Sequence, residues 1–264
     1  MEFSKSKILE IISRQLAIDM NCNSEDFFNY GIVFCEAKLN EGRRIFDRPS
    51  PFLEIATMWK SIVVSADRDI LPNIRRLLEN KTREDIFAAP FIFGHSLYYT
   101  PDCYRLKKLP MPDGYSFYIK EGKEIHDLYK FPGFENAIQY DENYPRPDVI
   151  AVYAKYGNEI VAVAGASYDS SLMRQIGIDM LPKFRNKGLA TCLVSNLAIL
   201  IMERGVLPYY GAASSNIASQ SVAYRSGFMP TWMCSYKNIL MVVHLMIKTL
   251  KLYFSARYKW YLWS

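Results

Sequence analysis

Residues 175–181 read as a strand, and residues 191–204 place Leu193, Leu197 and Leu200 at i, i+4 and i+7, the spacing of a helix with one apolar face. Between them stand Arg185, Asn186, Lys187, Gly188, Leu189 and Ala190. A strand that passes through a cationic, glycine-bearing turn into a helix commits this region to an α/β arrangement. It also builds an anion cradle, because the first N–H groups of a helix lack intrahelical acceptors and the glycine lets a ligand come close to the backbone. Gly205 and Pro208 then end the helix.

The cradle follows neither of the commoner phosphate loops. Gly-x-x-x-x-Gly-Lys-Ser/Thr and Gly-x-Gly-x-x-Gly are both missing around Gly188, which argues against a P-loop nucleotidase and a dinucleotide fold. Its neighbours form a definite order. Residues 148–155 and 160–167 are β-branched apolar runs joined through Gly157 and Asn158, a favoured hairpin pair. A third strand, 172–181, follows the turn at Asp169, Ser170 and Ser171. After the helix come a short strand at 207–213 and a second helix, capped by Asn216 and running to Gly227, a residue suited to the left-handed position past a helix end.

Arg185, Gly188 and Ala190 fill the fixed positions of Gln/Arg-x-x-Gly-x-Gly/Ala, and Asn216, Ser219, Val222, Ala223, Gly227 and Phe228 form a second spaced pattern. With the element order, these resemble the GNAT N-acetyltransferases over roughly residues 113–236. The resemblance implies a mixed-sheet α/β fold and acetyl-CoA as co-substrate. The pyrophosphate cradle is then expected at Arg185, Asn186, Lys187, Gly188, Leu189, Ala190 and Thr191. The pantetheine arm is expected along the backbone of Met180 and Leu181, with Asn216 reaching it from the far side. Many members use a Tyr seven residues after the helix-opening Asn, and here that residue is Ala223. Tyr224 is one position on, turned by about a third of a helical circuit; it is carried as candidate acid and Asp179 as candidate base. The expected reaction is acetyl transfer to the amine of a small molecule or peptide. The alternative is a module that binds acyl-CoA without turnover.

At 264 residues, half of them hydrophobic and 22% charged, the chain has the composition of a globular protein. A Pro-containing polar run at 107–114 suggests a boundary near residue 112, separating an N-terminal α/β scaffold or lid (1–112) from the transferase core (113–236) and a basic tail (237–264). In the first region a helix is expected at 5–20, strands at 31–39, 52–58 and 62–65, and a helix after Asp67 burying Ile74, Leu77 and Leu78. No chemical constellation stands out there.

The five cysteines are widely spaced, and the chain start lacks the pattern of a secretory signal, so reduced thiols and a cytoplasmic setting are expected. His95, His126 and His244 have no ligand spacing, so no metal is expected. The sequence around His95 and Ser96 resembles a hydrolase elbow, but Tyr98 stands where that turn needs Gly. Net charge is +5, and beyond Glu203 the only charged side chains are basic; without a recognition motif, nucleic acid is not expected as partner. In the tail, His244, Lys248, Lys251 and Ser255 form a narrow polar stripe on an apolar helix pattern, with Trp260 and Trp263 beyond. Core packing and a homodimer contact are the commoner outcomes for such a helix; an anionic membrane surface is the rarer one.

Overall fold

The computed structural model describes residues 3–46, 48 and 50–238. The expected tail helix therefore lies outside the described residues. The chain runs α1 (Lys5–Met20), β1 (Gly31–Glu36), β2 (Leu53–Met58), β3 (Ser61–Ala66), α2 (Leu71–Leu78), α3 (Arg83–Phe87), β4 (Ile92–Pro101), β5 (Tyr115–Glu121), β6 (Asp148–Tyr156), β7 (Glu159–Ser167), β8 (Met173–Met180), α4 (Leu189–Glu203), β9 (Leu207–Ala213), α5 (Ile217–Arg225) and β10 (Phe228–Asn238). It is a mixed α/β fold. The ten strands of the described residues join one mixed sheet in the order β1-β3-β2-β10-β4-β9-β8-β7-β6-β5.

The stretch near residue 112 does not interrupt this sheet. β10 pairs with β2 on one side and β4 on the other, and β4 continues the ladder to β9. The chain between β4 and β5 straps α4 instead. Ser195 Oγ donates to Lys107 O at 2.5 Å, and Asn196 Nδ2 to Leu109 O at 2.9 Å.

Each face of the sheet has its own core, and strand parity tells them apart. Tyr210 and Ala212 of β9 and Ile176 of β8 pack with Leu193, Leu197 and Ile201 of α4. Leu207 and Tyr209 of β9 and Met173 of β8 pack instead with Ile8, Ile12 and Leu16 of α1. Fully burying a Leu or Ile in either layer contributes about 1.5–3 kcal/mol. In α2, Ile74 and Leu78 are buried but Leu77 is 49% exposed. The helix is short, and Ile74 and Leu78, four residues apart, already fill the face turned to the sheet.

The 3-10 segment Gly122–Lys130 and the chain after it cover the β6–β7 side, where Phe134, Ala137 and Ile138 are buried. This cover lies so close to the strands that side chains are excluded below it. A Cβ on Gly177 would stand 1.8 Å from Asn136 O, and one on Gly165 2.1 Å from Ala137 O. No helix among the described residues is long and apolar enough to cross a membrane.

Candidate active-site cleft

β8 and β9 start as a parallel pair and then part. Their register runs from Met173 opposite Leu207 to Ile176 opposite Tyr210 and goes no further. Beyond it β8 stays with β7 and β9 with β4, so a gap opens between neighbours in one sheet.

The ladders on the outer sides show which backbone groups line that gap. Leu181 N–H donates to Val161 O at 2.9 Å, so in the alternating antiparallel pattern the odd residues of β8 turn their amides to β7. Ile178 and Met180 turn theirs into the gap. On the other bank Ser214 N–H donates to His95 O at 2.9 Å, which leaves the edges of Gly211 and Ala213 facing inward. The N–H groups on the β8 bank of the gap are thus those of Ile178 and Met180, while Met180 O accepts from Arg185 Nε at 3.4 Å. Leu181, expected from the sequence to share that bank, has its N–H occupied, and its side chain packs inward near Gly133.

At the outer end of the gap the turn Pro182–Phe184 leads into the loop before α4. Asn186 has φ 62° and Gly188 φ 80°, so both lie in the left-handed region; only glycine enters it without steric cost. The space a Gly188 Cβ would occupy is open. α4 starts at Leu189, two residues ahead of the sequence expectation, and its first i→i−4 bond comes from Cys192 N–H to Gly188 O at 3.0 Å. No side chain caps this end. The amides of Leu189, Ala190 and Thr191 therefore precede the first intrahelical donor, Cys192 N–H, and present the positive end of the helix to the gap.

The whole forms a cleft of about 760 Å³. Met180, Arg185, Asn186, Gly188, Ala190, Thr191 and Asn216 line it together. The side chain of Asn216 accepts from Ser219 N–H at 3.0 Å, which holds it as the cap of α5. Leu189 is buried in the core below, and Lys187 extends outward with its ammonium 5.6 Å from the Phe184 ring.

Of the two candidate proton carriers, the structure brings one into the cleft. Asp179 lines it and accepts from Asn136 N–H at 2.6 Å and Asn136 Nδ2 at 2.8 Å. Tyr224 does not join it. The residue is 57% exposed, and the Arg105 guanidinium carbon lies 3.9 Å from the centre of its ring. Ala223, not Tyr224, turns inward, where it is fully buried among Tyr210 and Phe228. The phenol that does reach the cleft is Tyr210 of β9, whose hydroxyl lies 2.8 Å from Ser219 Oγ. Burial pushes its pKa above the ordinary phenol value, and the Ser219 hydrogen bond opposes this in part. Sequence reasoning missed Tyr210 because it searched the helix; the signal was its place in a strand one residue from the parity of Tyr209.

Among the described residues, no group of three or more His, Cys, Asp or Glu is arranged to hold a metal ion.

Residues 144–232 match the sequence model of the family described as GNAT acetyltransferase, and this part of the chain is a GNAT acetyltransferase domain. No curated protein matches the chain. Among solved structures it is similar to a GNAT-family protein from Novosphingobium aromaticivorans, with 16% identity over 53% of this chain and 62% of that one and a TM-score of 0.42. It is also similar to a GCN5-related N-acetyltransferase-like protein from Streptococcus suis, with 16% identity over 74% and 88% and a TM-score of 0.45. A third, the aminoglycoside N-acetyltransferase AAC(6')-Iy in complex with CoA, has 21% identity over 46% and 93% and a TM-score of 0.35. The aligned part spans less than two thirds of the Novosphingobium chain.

Proposed function

We propose that this protein transfers an acetyl group from acetyl-CoA to a primary amine within the cleft between β8 and β9. The observation that carries this reading is the pair of strand edges that no neighbouring strand covers, Ile178 and Met180 on one bank and Gly211 and Ala213 on the other; Met180 O and Ala213 O accept from Arg185 Nε and from Asn216 N–H and Gln220 Nε2, and the N–H groups face the gap. Such edges call for an extended partner that carries amides of its own, and the pantetheine arm is such a chain. The uncapped start of α4, with Arg185 beside it, suits the diphosphate.

Bound there, acetyl-CoA supplies a thioester carbonyl open to attack by an amine. The protein's part is then positioning and proton handling. An N–H of Ile178 or Met180 faces the gap and serves as donor to the carbonyl oxygen as it gains negative charge. Asp179 retains lone pairs beyond its two bonds from Asn136 and is assigned the proton of the amine. Tyr210, kept protonated by burial, is assigned the donation to the departing thiolate. Cys22, Cys35, Cys192 and Cys234 are outside any disulfide, in keeping with a cytoplasmic setting.

Calorimetry with acetyl-CoA tests the cleft, and thiol release with pooled primary amines tests turnover. Absence of binding at several hundred micromolar ends the proposal. Binding without thiol release from any amine pool favours the acyl-CoA-binding module, the reading to which Ala223 lends weight. Tyr210→Phe is expected to lower kcat about a hundredfold while leaving acetyl-CoA affinity unchanged. A change of less than twofold in kcat removes the phenol from the mechanism.

A further inference from the structure

The α1 side of the sheet holds a second cavity, of about 460 Å³, which the proposed chemistry leaves unused. Gln175, Gly211, Ala212 and Ala213 line both it and the cleft, so the two meet at the mouth of the β8–β9 gap. A group held in the cleft from the α4 side thus faces, through the gap, a separate chamber on the other side of the sheet.

The chamber is built largely from a part of the chain in which no chemistry was legible. Arg43 and Arg48 line it, from the segment ahead of β2, together with Arg146 from ahead of β6. Each guanidinium is held differently. Arg146 is neutralised by the buried Asp169, 2.8 Å away. Arg48 is held by Lys38 O at 2.7 Å and by the face of Phe52, 3.9 Å from its central carbon, contacts that leave its charge uncompensated. Arg43 Nε and Arg48 Nη2 are buried and have no hydrogen-bond partner among the described residues. Both residues are half-buried, but buried donors left without an acceptor are costly, and an anion is the ligand that satisfies them on a cation. Burial first, and the neighbouring Arg43 charge second, lower the pKa of Arg48.

One carboxyl opposes this field. Glu54 lines the chamber, and burial raises its pKa, with Arg44 acting the other way. Since Arg44 pairs with Asp19 and Arg146 with Asp169, the balance is Arg43 and Arg48 against Glu54. It remains positive.

We infer that this chamber binds an oxyanion of the acceptor, so that the amine acetylated here belongs to a molecule that also carries a carboxylate or a phosphate. The inference rests on the acetyl-transfer reading for the amine's position at the gap, and on the chamber alone for the anion. The amine end lies at Gly211 to Ala213 and the oxyanion reaches back to Arg43 and Arg48. Arg48, forked and planar, suits either group.

Two measurements on the full chain test it. Thiol release is compared for matched acceptors: amino acids against their amides, and phosphoethanolamine against ethanolamine. Acceptors with the oxyanion are expected to show at least tenfold higher kcat/KM, and the carboxylate and phosphate arms identify which is read. Arg48→Gln should raise KM for the preferred acceptor about tenfold or more, with kcat and the KM for acetyl-CoA unchanged. Equal rates for the neutral amines, or an unchanged KM, overturn the inference. The second measurement does not depend on turnover. Inorganic phosphate and N-acetylated amino acids should raise the melting temperature of the wild-type protein above that in chloride of equal ionic strength, and not that of Arg43→Gln/Arg48→Gln. No difference between phosphate and chloride in the wild type also overturns it, even if acetyl-CoA binds. If the shift occurs while acetyl-CoA fails to bind, the chamber stands and the acetyl-transfer reading falls.

Discussion

Gly188→Glu is expected to abolish acetyl-CoA binding, with no heat detected by calorimetry at concentrations that saturate the wild-type protein. Two effects act together. Gly188 has φ 80°, and a side chain in that region costs about 1–2 kcal/mol. The larger effect is charge. Open space surrounds the position of a Gly188 Cβ, and Gly188 lines the cleft, so a carboxylate there projects into the volume proposed for the diphosphate. At 4 Å and an effective dielectric constant near 20, two like charges repel by about 4 kcal/mol, and each 1.4 kcal/mol is a factor of about ten in affinity. Gly188→Gln separates the contributions, since it keeps the bulk and the backbone strain without the charge. A weakened but measurable affinity is expected for Gln, and none for Glu. Wild-type affinity in Gly188→Glu would falsify the loop as the diphosphate site.

The loop and its flanks were legible because their signals are local. The Gly157-Asn158 hairpin between β6 and β7, the apolar spacing of α4 and the Asn216 cap of α5 each depend on residues within a few positions of one another. β4 gave no such signal. Ile92–Pro101 contains Gly94 and alternates poorly, because both of its faces are partly covered, and its neighbours β9 and β10 are supplied from the far end of the chain. Residues 107–114 were read as a junction because Pro and polar residues suit one. They suit equally a strap whose carbonyls meet Ser195 and Asn196, and composition does not separate the two. The same holds for the chamber. Arg43, Arg48, Glu54 and Arg146 are scattered singly in the sequence, and they converge only because β2 enters the sheet beside β10. Within the site, the loop residues could be read from their spacing, whereas choosing between Tyr210 and Tyr224 needed the direction each side chain takes. Helix α5 turns Tyr224 outward toward Arg105, and the pleat of β9 turns Tyr210 inward.

Arg44 makes the second strong prediction, for stability. Its side chain is 2% exposed, its Nε lies 2.5 Å from Asp19 Oδ2, and its backbone N–H donates to Asp19 Oδ1 at 2.7 Å. The guanidinium also packs near the rings of Phe46, Tyr209 and Trp232, fastening the segment ahead of β2 to α1 on one side and to the sheet on the other. Arg44→Met keeps much of the bulk but leaves the Asp19 carboxylate buried, with Gln15 Nε2 and the residue 44 N–H as its remaining donors. Breaking a buried pair from one side typically costs about 3–5 kcal/mol. For a chain of this size each kcal/mol lowers the melting temperature by about 2–4 °C, so a fall of roughly 10 °C is expected in thermal unfolding. The double variant Arg44→Met/Asp19→Leu should recover most of that loss, because apolar groups can replace a buried pair at little net cost once neither charge remains. A single variant within 1 kcal/mol of wild type would mean that water reaches Asp19 and that the pair does not anchor the segment. The double variant bears on function too. With the segment re-anchored by apolar contacts, Arg43 and Arg48 keep their places, and the preference for oxyanion-bearing amines should return together with the stability.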